Sequence, residues 1–158
     1  MRAATIEHEI AALAATGGDG VLIIEAAADE VVQVLGVYVH NLDNTTDELM
    51  HYAAGKITTK GALASAAAPN LILHETGDGA TGLTLYGADN NGMTTEPTTW
   101  AAPLHEDAPS SRVGFRKEWS PINSIWLSPG ELFGIRLITT PVTAFKAACK
   151  IEVVEYGG

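Results

Sequence analysis

Five histidines, one cysteine and 19 acidic residues are the groups in this 158-residue chain that could do chemistry. A metal centre needs ligands that converge at short range. His8, His40, His51, His74 and His105 form no HxH or HExxH pair. The neighbours His74-Glu75 and His105-Glu106 would point to opposite faces of an extended chain. Asp43-Asn44 with Asp47, and Asp89-Asn90-Asn91, carry enough oxygen for calcium, but they also match ordinary turns, which is the reading preferred here. Gly77, Gly79 and Gly82 spell GxGxxG, yet a strand sequence, Leu83-Thr84-Leu85-Tyr86, follows where a nucleotide-binding helix would have to begin. Cys149 falls on the apolar side of an alternating segment, where thiols are inert, and no serine sits in a GxSxG elbow. Carboxylate pairing for glycoside hydrolysis is spatial, and 19 acids make chance pairs certain. The expectation is a protein that is not an enzyme and uses no cofactor and no metal.

Binding is the alternative chemistry. Trp100 lies in the proline-bounded stretch Glu96-Pro97 to Pro103, outside the clear strands. It could anchor an interface, stack on a sugar, or fold back over one end of the domain, the last slightly preferred. Arg112 and Arg116, with Lys117 beside them, form the densest run of bases. Trp100, Arg112 and Arg116 are therefore the candidate partner-interface residues, while Trp119 and Trp126 read as core or core-edge. Net charge is −10, and residues 1–50 hold nine acids against one base, Arg2. Such a surface repels phosphate, so neither nucleic acid nor an anionic membrane is an expected partner. Glu7, His8 and Glu9 stand where a secretory leader would carry its apolar run, and no stretch approaches the ~18 apolar residues of a membrane span.

The elements that must position these residues read as strands. Between 145 and 156, Phe145, Ala147, Cys149, Ile151 and Val153 alternate with Lys146, Lys150 and Glu152, the mark of a half-buried antiparallel strand. In 125–138 two strands flank Pro129-Gly130, a pair suited to a type II turn. Segments 21–27 and 31–42 are further strands. In the second, Val32, Val34 and Tyr38 alternate with Val31, Leu35, Val37 and Val39, so both faces are apolar and a neighbouring subunit would cover one of them. Segments 81–87 and 112–119 are strand candidates, with 6–14 and 70–75 weaker. Segment 47–56 is read as a strand through Met50, Tyr52 and Ala54, a helix capped by Thr46 being the alternative, and 62–68 is left open. The sum is a single domain over 1–158, all-β, an antiparallel sandwich of the jelly-roll type with about eight strands.

The C-terminal third resembles a recurring type of small tailed-phage structural protein. The likeness rests on Trp119-Ser120-Pro121, Ile125-x-Leu127-Ser128-Pro129-Gly130, Leu132, Ile135-x-Leu137, Pro141, then Ile151-Glu152-Val153-Val154-Glu155 and Gly157. In the middle of the chain only the style is similar, and 47–56 and 88–111 depart from the pattern. These motifs are similar to those of head decoration, or cement, proteins. The resemblance implies a β-sandwich subunit, often trimeric, that clamps the exterior of a capsid lattice of major capsid protein; it assigns no functional residue. A carbohydrate- or receptor-binding module of a virion fibre or tail tip is the second expectation, and a cupin- or hydrolase-type jelly roll the third.

Overall fold

The computed structural model describes residues 1–43, 47–75 and 81–157. Strands dominate: β1 (Arg2–Leu13), β2 (Gly20–Glu25), β3 (Glu30–Asn41), β4 (Tyr52–Thr59), β5 (Asn70–Leu73) and β6 (Thr84–Gly87). They are followed by β7 (Thr99–Trp100), β8 (His105–Asp107), β9 (Phe115–Glu118), β10 (Ile125–Leu127), β11 (Leu132–Leu137) and β12 (Phe145–Gly157). Two six-stranded sheets form, one ordered β10-β3-β12-β1-β5 with β9 also on β3, the other β6-β2-β11-β4-β7 with β8 also on β4. Every pairing is antiparallel. This is the all-β sandwich expected from the alternation. The strand count exceeds the expected eight partly because β7 and β8, of two and three residues, carry too little alternation to read from the sequence.

Period-two patterning decides what enters the core. Along β12 burial alternates strictly, with Phe145, Ala147, Cys149, Ile151 and Val153 inside. Phe133, Ile135 and Leu137 of β11 face them from the other sheet, and all three are fully buried. Trp119 meets Phe133 edge-on at 6.2 Å, and Tyr52 meets Phe115 at 5.6 Å. Each large side chain so buried stabilises the sandwich by about 1.5–3 kcal/mol. The Pro129-Gly130 turn forms as read: the Glu131 N–H donates to Ser128 O at 2.9 Å and Gly130 takes φ +75°.

Three sequence readings need correction. The double apolarity of β3 does not mean two buried faces. Pairing shifts register between Glu152 and Val153, with Val34 opposite Val153 and Gly36 opposite Glu152, so Leu35 is an extra residue on the β3 side. A bulge of this kind reverses the parity beyond it. Val32 and Val34 therefore point inward before it and Val37 and Val39 after it, while Tyr38 turns outward. Segment 47–56 is a strand only from Tyr52, and that strand runs on to Thr59; Met50 is buried beside it, its N–H held by Pro109 O at 2.9 Å. Trp126 is not a core residue but stands 47 % exposed. Thr46, the alternative helix cap, lies outside the described residues, as do Gly77 and Gly79 of the glycine-rich stretch. Segment 62–68 forms no regular element and is tied down by bridges from Ala64 to Thr95 and from Ala67 to Gly87.

The central strands of the second sheet are buried on both faces, β2 most completely: Val21, Leu22, Ile23 and Ile24 are all fully buried. Its outer side is covered by the chain itself. Glu96 accepts the Gly20 N–H at 2.8 Å and the Met93 N–H at 3.0 Å, fastening the 93–104 stretch across the second sheet. Trp100, paired with Ile57 of β4, lays its ring over Arg136 at 5.2 Å. Further along, Ala102, Pro103 and Leu104 pass so close over Gly55 that a Cβ there would touch all three at 3.5–3.6 Å.

Candidate interaction face

With the second sheet covered, the outer face of the first is the broad open surface of the sandwich. Its residues are the outward parity of β1, β12 and β3, with β9 and β10 added at one edge. Glu7 pairs with Lys150 at 2.5 Å and Glu9 with Lys146 at 3.1 Å, tying β1 to β12 through half-exposed side chains. Exposed pairs of this kind contribute about 0–1 kcal/mol each and fix the pattern of charge more than the stability. Ala148, small between them, floors a groove of about 440 Å³ bounded by Glu7, Glu9, His40, Leu42 and Lys150.

His40 and Lys150 also line a second hollow with Tyr38, Arg116, Glu118 and Glu152. There the Tyr38 hydroxyl donates to Glu118 at 2.9 Å and lies 3.3 Å from Glu152. The Arg116 guanidinium pairs with Glu118 and sits 5.5 Å over the Tyr38 ring. Partial burial, then the hydrogen bond to Glu118, raises the phenol; the bonds from Arg116 and Tyr38 lower the Glu118 carboxyl. Glu118 is thus ionised and Tyr38 protonated across the neutral range. These are positioned charges, not a poised acid and base.

At the far end of the same face the surface becomes apolar. Trp126 packs against Tyr156 in a tilted pair, with ring centroids 5.3 Å apart and 35° between the planes. The Tyr156 hydroxyl donates to Gln33 Oε1 at 2.8 Å, and Gln33 Nε2 donates to Ser124 Oγ at 2.6 Å, which locks both rings and the 121–124 turn to β3. Ile122, at the tip of that turn, is 93 % exposed. A rigid aromatic step on an open sheet is the kind of anchor that dominates binding surfaces.

The three interface candidates taken from the sequence are not brought onto one face. Trp100 is half-buried on the second sheet. Arg116 lies on the open face of the first sheet. Arg112 is exposed in the turn before β9 and is not on the strand, because β9 begins only at Phe115. Trp126, read from its hydrophobicity as core or core-edge, faces out, and the sequence carries the signal: Ile125 and Leu127 face the core, so the residue between them is turned away from it.

The titratable groups weighed for chemistry are held by local structure. The His74 ring nitrogen lies 2.7 Å from Thr5 Oγ1, and His51 pairs with Glu106 at 2.6 Å. His8 is buried with Nε2 2.5 Å from Ala88 O, bridging the two sheets. His105 stacks on Phe115 at 5.1 Å, where burial lowers its affinity for a proton. Asp89 accepts the Asn91 N–H at 2.7 Å, Asp43 that of Lys146 at 2.5 Å, and Asp47 the Ser110 hydroxyl at 2.7 Å, so these carboxylates serve turns and loop contacts. Among the described residues no group of three or more His, Cys, Asp or Glu side chains is placed to hold a metal ion. No described helix is long and apolar enough to cross a membrane. Compared with protein-family profiles, curated proteins and solved structures, the chain matches none.

Proposed function

We propose that this is a non-enzymatic virion structural protein, a decoration subunit attached to the exterior of a phage head and stabilising it. The observation that carries this reading is the open face of the first sheet, with its fixed charge ladder ending in the Trp126–Tyr156 step. A cement subunit works by burying surface, on the order of 1,200–2,000 Å² for a stable contact, with a few aromatic or arginine anchors dominating. Trp126 and Arg116 supply such anchors on one face. The C-terminal resemblance runs from Trp119 to Gly157 across β10, β11 and β12; its motif residues flank Trp126 and Tyr156 and do not include them.

The partner is then the major capsid protein lattice. A homotrimer is proposed from the resemblance alone, since the bulge at Leu35 and the covering of the second sheet by 93–104 remove the apolar face that had called for a neighbouring subunit. Purified protein added to capsids that lack it should co-sediment with them and raise their melting temperature. Neither effect would appear if the reading were wrong.

A second reading is favoured by the same aromatic step: an exposed indole locked beside a tyrosine also stacks well on the apolar face of a sugar ring. A carbohydrate-binding module of a fibre or tail tip would give a glycan-array signal that Trp126→Ala abolishes, with no binding to capsids.

A further inference from the structure

Arg2, Glu30 and Glu155 meet at one end of the inner face of the first sheet, one from each of its three central strands. Register brings them together, with Arg2 opposite Glu155 across β1 and β12, and Glu30 at the start of β3 opposite Gly157. Glu155 continues the inward parity of Val153 and is fully buried, and the Glu30 side chain is only 4 % exposed. Arg2 pairs with Glu30, and its Nε lies 3.3 Å from Glu155 Oε2. Gly82 closes the site from the stretch before β6, so tightly that a Cβ there would stand 2.8 Å from Glu30 Oε2.

Two carboxylates thus face one guanidinium away from water. Counting the described residues, the cluster with both ionised carries one uncompensated negative charge where the dielectric is low, which is costly; with Glu155 protonated it is neutral. We propose that this triad is a proton-held latch that closes the β1–β3–β12 end of the sandwich below neutral pH and loosens it above.

Burial first, and then the charge of Glu30, push the Glu155 carboxyl up to about 7. Arg2 and the backbone N–H of Leu83 oppose the shift. These are the groups acting on it among the described residues, Arg2 from β1, Glu30 from β3 and Leu83 from the 81–83 stretch. The sign follows from linkage. A carboxyl whose folded value lies above its unfolded value binds more protons in the folded state. Its contribution is therefore complete below about pH 4.5 and is lost as the pH rises through about 7. Local opening of this end should grow by up to about tenfold per pH unit within that window.

The test is carboxyl carbon-13 NMR of the wild-type protein together with melts from pH 5 to 8. A Glu155 midpoint near 7 is expected, with amide exchange at Leu83 rising about fivefold beyond its intrinsic base catalysis between pH 6 and 7. Glu155→Gln should flatten the fall of melting temperature with pH, whereas Glu9→Gln, an equal change of charge on the exposed face, should leave the slope unchanged. A Glu155 midpoint in the ordinary glutamate range overturns the proposal, whether or not the variant folds. So does a wild-type pH slope preserved in Glu155→Gln.

Discussion

The Trp100 ring lies 5.2 Å over the Arg136 guanidinium, and through this contact the 93–104 stretch is clamped to the second sheet. The indole also stands 3.4 Å from where a Cβ of Gly20 would lie, so it seals the end of β2 as well as stacking on β11. Trp100→Ala should therefore lower the free protein's stability by about 2 kcal/mol, the discounted cost of truncating a half-buried tryptophan. Equilibrium denaturation in urea checks this. An unchanged midpoint would return Trp100 to the list of free interface anchors.

Cys149 sits fully buried on the inward parity of β12, where burial pushes its thiol up to about 12. Labelling of the native protein by a bulky thiol reagent near pH 8 should be slow and should become fast in denaturant. Fast native labelling would mean that β12 is inverted in register, with Lys146 and Lys150 inside.

The strands longest and most regular in pattern were legible in the sequence: β12, β11, β2 and β3 all form where alternation or apolar runs placed them. The inward set of β12, read from Phe145 to Val153, also extends by the same parity to Glu155, a buried charge that polarity alone would have put outside. What could not be read was a change of parity. One extra residue, Leu35, turns two apolar sets into a single buried face, and nothing in the residue types distinguishes that from a strand covered on both sides. The cover of β2 was hidden for a different reason. Glu96 and Trp100 act through contacts to Gly20 and Arg136, 76 and 36 positions away along the chain, and local spacing carries no trace of them. The aromatic step of the open face stood between these extremes, since the parity of Ile125 and Leu127 implied an outward Trp126 while its hydrophobicity argued the other way.

Gly130 occupies the turn between β10 and β11 at φ +75°, with open space where a side chain would go. Only the backbone conformation selects glycine there. Gly130→Ala should cost about 1–2 kcal/mol through strain in the left-handed region, and Gly130→Asn less, since asparagine tolerates that region better. Thermal melts of the two variants give the order, and an alanine variant as stable as the wild type would contradict the type II geometry.

Attachment through the open face of the first sheet is the central claim, and Trp126 tests it most directly. Its ring is exposed and packs mainly on Tyr156, so Trp126→Ala should leave the fold intact, with a melting temperature close to that of the wild type. The measurement is a co-sedimentation titration of both proteins against capsids that lack the subunit. A hot-spot anchor is worth about 2 kcal/mol, so the variant's Kd should be weaker by roughly 30-fold. Equal affinity of variant and wild type for the lattice would contradict attachment through this face.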